Sequence, residues 1–412
     1  MSHEAPLPAG MPPGFDIRGN ELCVAGTPVS ELAARVGDRP FYAYDSALMS
    51  ERVRFLRTHL PAEIDLHYAI KANPMPAVVQ HMSGLTEGLD VASAAELGVA
   101  LSTGVDPLDI SFAGPGKSAR DLEDAVSAGV IIILESFNEM ERVAALAAKH
   151  HCQPPVAVRV NPDFELKSSG MKMGGGPRPF GVDAEDVPEL LQRIAREPLR
   201  FMGLHIFTGS QNLRHEALIE AHDQTFALAQ RLAAESPMPI QWLNIGGGLG
   251  IPYFPGDQPL ALEPVCDNLR QRFSAWQAAH PDCTVVMELG RYLVAEAGVY
   301  VCRVSDRKTS RGQVYLITNG GLHHHLALSG NFGQVIRKNY PVCIGNRVHG
   351  DTEEVVNIVG PLCTPLDILG QRMSLPVAGI DDLIVVFQSG AYGFTASPHL
   401  FLSHPAPEEL LL

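Results

Sequence analysis

The chain has 412 residues, 46% of them apolar, and 46 Asp and Glu against 31 Lys and Arg give a formal charge of −15. That length supports one large domain plus a smaller one. The acidity excludes nucleic acid and anionic membrane as partners, because both demand a basic face.

No window approaches ~18 uninterrupted apolar residues, so no membrane span is expected. The seven cysteines (23, 152, 266, 283, 302, 343 and 363) are odd in number and lack C-x-x-C spacing. This argues against a disulfide framework or zinc site and for a reducing cytoplasm.

In chain order, the Pro-, Ala- and Gly-rich residues up to Gly14 lack the basic start and apolar core of a signal peptide and read as a flexible tail. Between Ile64 and Leu289, short apolar runs alternate with amphipathic segments. Eight strands are predicted: Ile64–Ile70, Gly88–Val91, Ile110–Ala113, Val130–Leu134, Val156–Val160, Met202–Phe207, Gln241–Ile245 and Thr284–Met287. Helical patterns such as Ala94–Leu101, Glu139–Lys149, Glu216–Ala234 and Glu263–Ala279 separate them. This rhythm implies right-handed crossovers and a parallel sheet. Eight units are the number that closes a TIM barrel, with an open doubly wound sheet as the alternative. After Arg291 the texture turns β-rich at Val299–Val304, Gln313–Ile317, Glu354–Val359 and Leu383–Phe387. The expected architecture is α/β: residues 1–40 joining a β domain, a barrel over 41–291, and the β domain over 292–412.

Functional groups of such barrels gather at the C-terminal ends of the strands. Lys71 follows the first strand in His67-Tyr68-Ala69-Ile70-Lys71-Ala72-Asn73-Pro74, where a partly desolvated amine can form a Schiff base with an aldehyde. Asp90 lies near the end of the second strand, and Phe207-Thr208-Gly209-Ser210 closes the sixth. Gly246, Gly247 and Gly248 follow the seventh, and Glu288 ends the eighth. A glycine triplet lets backbone N–H groups approach an anion closely. With Ser210 and Gly290-Arg291 nearby in the pattern, a phosphate site is expected.

Gly170-Met171-Lys172-Met173-Gly174-Gly175-Gly176-Pro177 reads as a loop over the barrel mouth. His323, His324 and His325 point in different directions as neighbours, so no metal site is expected, and they read as a polar loop facing the active site.

These motifs, followed by Gly360-Pro361-Leu362-Cys363-Thr364-Pro365-Leu366-Asp367 and Gly390-Ala391-Tyr392, resemble the fold type III decarboxylases that use pyridoxal phosphate. That group contains diaminopimelate and ornithine decarboxylases. The resemblance runs from about Phe41 to the C-terminus. It implies a pyridoxal phosphate-binding TIM barrel with an alanine racemase-like β domain, acting as an amino-acid decarboxylase.

By resemblance, Lys71 carries the cofactor, Glu288 bonds its ring nitrogen, Gly290 and Arg291 hold its phosphate, and Tyr392 reaches it from a partner subunit. Cys363 becomes the proton donor, also contributed by the partner, so a homodimer with shared active sites is implied. Asp90, Ser93 and Glu96 match a supporting segment, and Asn161 matches a structural position. Thr364 and Asp367 fall where the substrate is read.

Two departures stand out. Phe207 occupies the place of a cofactor-stacking histidine; its face can stack but not hydrogen-bond, and His205 lies on the same face but deeper. Thr364 replaces the carboxylate that reads a distal ammonium, which weakens discrimination for a diamino acid. The chain is therefore similar to a side branch that includes the butirosin-type decarboxylase of glutamate tethered to an acyl carrier protein, and exosortase-associated decarboxylases. A free small-molecule amino acid and a carrier-bound one both remain as substrates. The alternatives are a racemase of the same barrel class and a non-catalytic pyridoxal phosphate-binding protein. Such a protein usually lacks a β domain.

Overall fold

The computed structural model describes residues 8–165, 171–172, 174–330 and 337–412. Residues 1–7 of the expected tail, and Gly170 and Met173 of the expected mouth loop, lie outside the described residues. The chain forms two compact units: Arg52–Ile251 with Pro259–Leu293, and Met1–Glu51 with Pro252–Gln258 and Val294–Leu412.

The first unit is a closed parallel barrel. Its strands are β1 (Ile64–Ala69), β2 (Gly88–Val91), β3 (Ile110–Phe112), β4 (Ile131–Leu134), β5 (Pro155–Asn161), β6 (Arg200–Ile206), β7 (Trp242–Asn244) and β8 (Thr284–Leu289). Neighbours pair in sequence order, and β8 returns to β1 through Glu288↔His67 and Leu289↔Tyr68. An unbroken ring excludes the open doubly wound sheet. Strands such as β4, an Ile-Ile-Ile-Leu run buried throughout, are apolar on both faces because helices cover the outside. Those helices follow from their sequences. Val187, Leu190, Leu191 and Ile194 give Val187–Ile194 one buried stripe. Ser118 and Asp121 form a capping box that starts Ala119–Ala128, and Gly129 ends it in the left-handed conformation.

An apolar plug of Ala113, Ile131, Ile133, Ala157, Met202, Trp242 and Val286 fills the barrel interior. Because strand side chains alternate, the same face returns two residues later. Glu288 thus stands above Val286 and Arg159 above Ala157, at the C-terminal mouth.

The second unit is a mixed β sheet. Gly298–Ser310 is its long central strand, pairing with Leu383–Val386, Gln313–Thr318 and Phe41–Tyr44. Phe41–Tyr44 also receives Glu408–Leu411 in parallel. The sequence reading began the barrel at residue 41. The all-buried Phe-Tyr-Ala-Tyr run has two sheet neighbours here instead, which is why it reads as core.

Candidate active site

The strand β1 stops at Ala69, one residue earlier than its apolar run suggested, and a 3₁₀ turn over Ile70–Ala72 carries Lys71. That turn leaves the Lys71 side chain 40% exposed, while its Nζ donates to Asp90 Oδ2 at 3.1 Å and Glu288 Oε1 at 3.0 Å. Asp90 and Glu288 are both buried. Asp90 Oδ1 accepts from Ser111 Oγ at 3.1 Å. His205 Nε2 lies 3.4 Å from Glu288 Oε2. His205, doubted from the sequence as too deep, thus lies under the carboxylate and braces it, whereas Phe207 keeps the higher place with its ring 6.4 Å away.

Two buried carboxylates therefore share one ammonium, and their affinities for a proton separate. Burial, then repulsion from Glu288, pushes Asp90 up to about 8. Burial also opposes the charge of Glu288, but the Lys71 ammonium and the His205 contact hold it well below the usual carboxylate range. Burial brings His67 down to about 4, so this imidazole is neutral.

A carboxyl raised on folding takes up a proton in the native state. Its stabilising contribution is thus present below its ordinary value of 3.8 and is lost as pH climbs toward about 8. In ligand-free protein, Asp90→Asn should flatten the fall in melting temperature between those limits. An unchanged slope in thermal melts of the variant would refute the shared-proton arrangement.

The glycine triplet runs against β8. A Cβ on Gly247 would sit 2.1 Å from Glu288 O, and one on Gly246 would sit 2.8 Å from Phe207 Cδ2. Gly246 and Gly248 adopt φ of +68° and +86°, which disfavours other residues. Gly246 N–H donates to Asn244 Oδ1 at 2.8 Å. Among the described residues no acceptor meets the N–H of Gly247 or Gly248. Ser210, partly exposed, stands on a two-residue strand paired with Met171–Lys172. Gly290 packs directly on the lysine turn, since a Cβ there would lie 2.8 Å from Ala72 Cβ. Arg291 begins the short helix Arg291–Val294 that follows.

Three further matched residues have local roles. Ser93 caps the helix Ala94–Ser102 by accepting from Glu96 N, and Glu96 Oε2 accepts from Ala92 N. Asn161 binds Gly175 N, Gly176 O and Asp183, as suits a structural residue.

Sequence reasoning missed a buried ionic network on the same rim. Lys117 Nζ contacts both Glu139 oxygens at 3.2 Å and the carbonyls of Gly114 and Ile133. Arg159 Nη1 donates to Glu135 Oε1 at 3.1 Å, and Glu135 also accepts from Gly114 N and Gly181 N. Two cations balance two carboxylates, so the loops after β3, β4 and β5 are tied together without a net buried charge. The signal in the sequence was Glu135, placed directly after the apolar run Ile131–Leu134.

In the β unit, Cys363 is exposed on a turn. Thr364 Oγ1 accepts from Leu366 N at 3.3 Å. Asp367, expected where the substrate is read, has its partners within the β unit. It is buried, and its two oxygens accept from Leu322 N at 2.7 Å and Leu362 N at 2.8 Å. It thus clamps the Cys363 turn to the histidine loop, where Gly321 and Gly360 leave room for its carboxylate.

The histidine triplet is likewise interior rather than a polar loop at a site. His324 contacts Pro405 O and Tyr300 Oη, His325 contacts Ser389 Oγ, and His323 packs on His404. Tyr392, partly exposed, holds a left-handed φ of +54°.

Residues 46–295 match the family described as pyridoxal-dependent decarboxylase, pyridoxal binding domain. The chain is 37% identical to the L-glutamyl-[BtrI acyl-carrier protein] decarboxylase of Niallia circulans, over 91% of this chain and 89% of that protein. It is 30% identical to the diaminopimelate decarboxylase of Aquifex aeolicus, over 97% and 92%. The crystal structure of M. jannaschii diaminopimelate decarboxylase with L-lysine shares the fold at a TM-score of 0.88 and 23% identity, covering 98% and 93%.

The barrel mouth fits pyridoxal phosphate. It offers a reachable amine at Lys71, a buried carboxylate at Glu288 and, among the described residues, two unengaged amides at Gly247 and Gly248. The matched domain covers more than half of the chain, and this protein belongs to the pyridoxal-dependent decarboxylases, as an amino-acid decarboxylase of fold type III.

Proposed function

We propose that the enzyme removes the α-carboxylate of an amino acid whose far end is neutral, namely one tethered through its side chain to a carrier protein. One observation carries this reading. The single carboxylate on the Cys363 turn, Asp367, is turned inward onto two backbone amides, so the turn offers Thr364 and no anion to a distal ammonium. The likeness to a carrier-linked glutamyl decarboxylase supports it.

When bound, pyridoxal phosphate supplies an aldehyde for amines and an electron-withdrawing ring that draws electrons from the breaking Cα–carboxylate bond. Lys71, Ser210, Gly246, Gly247, Gly248, Gly290, Arg291 and Tyr392 would hold it, with Phe207 across its face and Asp90 supporting Lys71. Glu288, kept anionic by Lys71 and His205, would bond the ring nitrogen and keep it protonated. Cys363 Sγ delivers the proton that replaces the departing carboxyl on Cα, so one CO2 leaves as one proton arrives.

We further propose a homodimer in which Cys363 and Tyr392 serve the site of the second copy. A cytoplasmic setting is supported by seven unpaired cysteines.

Carbon dioxide release distinguishes the substrate classes. Free meso-diaminopimelate, lysine, ornithine, arginine and glutamate should be turned over at least 100-fold more slowly than a γ-L-glutamyl thioester. Rapid release from diaminopimelate would overturn the tethered reading.

A further inference from the structure

Within the β unit of this acidic chain lies a cationic depression of about 520 Å³. Arg337, Lys338 and Arg372 line it together with Phe254 and Asn339. Arg337, half-buried, donates to Leu328 O at 3.1 Å, Asn339 Oδ1 at 3.2 Å and Ile368 O at 3.4 Å, all uncharged acceptors. Lys338 Nζ stands 5.2 Å from the Phe254 ring centroid. Arg372 is exposed on a left-handed residue with φ +50°.

The cations are held by a built frame. Asn339 Nδ2 donates to Gln371 O at 2.7 Å and its Oδ1 accepts from Gln371 N at 2.9 Å. This pair of hydrogen bonds locks segment 337–339 to segment 371–372.

Among the described residues, neither Arg337 nor Arg372 has a carboxylate within ion-pair reach. Asp257, close in sequence to Phe254, accepts from the Phe254 N–H instead. Residues 331–336 contain no acidic side chain. Burial also lowers the affinity of Arg337 for its proton, so its charge is imperfectly compensated. In a chain of net charge −15, three clustered cations without a carboxylate on either arginine form a local receptor for an anion from outside.

The neighbourhood narrows that anion. Arg337 Nη2 bonds Ile368 O, the residue directly after Asp367 at the base of the Cys363 turn. A carrier-tethered amino acid arrives on a phosphopantetheine arm, and the phosphodiester is the arm's one charged group. We propose that Arg337, Lys338 and Arg372 bind that phosphate as a substrate handle. This rests on the tethered reading given above.

The test uses holoenzyme and two small substrates, the γ-L-glutamyl thioesters of pantetheine and of 4′-phosphopantetheine. The phosphorylated form should show a KM about 10-fold lower at equal kcat, the size of one charge-assisted contact. Added salt should shrink the difference. The exposed pair Lys338→Glu with Arg372→Glu should erase it while kcat for the unphosphorylated thioester stays unchanged. Equal KM values in the wild type would overturn the handle and leave the substrate reading intact.

If neither thioester releases CO2 while free diaminopimelate does, the substrate reading fails. Calorimetry with 4′-phosphopantetheine then decides the anion site separately. Binding by the wild type and not by the double variant sustains the site, and no binding by the wild type ends it.

Discussion

Lys71→Ala is expected to lower turnover about 10⁴-fold and to abolish the visible absorption of lysine-bound cofactor. The reason is geometric. Lys71 provides the amine between two buried carboxylates, with its Nζ 3.1 Å from Asp90 and 3.0 Å from Glu288. Alanine leaves those carboxylates facing each other without a cation, so the variant should bind a proton more readily at Asp90. Retention of the absorption band would sink the assignment of Lys71. The same variant tests the shared site. Mixed and reassociated with Cys363→Ala, it should recover about a quarter of wild-type activity, because half the dimers then hold one intact site of two. No recovery from reassociated dimers would remove Cys363 from the partner's site.

Glu288→Gln should lower both activity and stability. Turnover should fall about 10²- to 10³-fold, the usual scale for removing one preorganised electrostatic contact. Cofactor should stay bound, because the glycine loop and Lys71 are untouched. Ligand-free protein should melt lower near neutral pH, since a carboxylate held well below its ordinary range by Lys71 and His205 contributes stability there. Rate assays paired with thermal melts read both effects. An unchanged rate together with a lower melting temperature would mean that Glu288 holds the barrel together rather than serving chemistry.

The barrel and its three central residues were legible partly because each sits where an apolar run stops. A charge there is costly unless chemistry or a partner requires it. On that ground Lys71, Asp90 and Glu288 are only suggestive, and it is the ordered set of downstream motifs that singles them out. Their companions were not legible, because cross-strand register is set by how the ring closes. Pairing of Asp90 with Ser111, and of Arg159 with His205, exists only once β2 meets β3 and β5 meets β6. The depth that counted against His205 is what sets it against Glu288. The inward hydrogen bonds of Asp367 were not legible either. Its closeness to Cys363 in sequence suggested shared chemistry, whereas two glycines let the loops close over its carboxylate. Phe41–Tyr44 reads as barrel in the sequence because its neighbours in the sheet come from far along the chain.

That last pairing has a consequence for biosynthesis. Phe41 aligns with Glu408, about 370 residues later. At the roughly 5–20 residues per second of ribosomal elongation, this strand waits about 20–70 s before its second edge exists. The intervening barrel has all of its strands well before then and can close first. A nascent chain therefore carries a finished barrel beside an apolar strand still open on one side, an interval in which a chaperone or a neighbouring nascent chain can capture it.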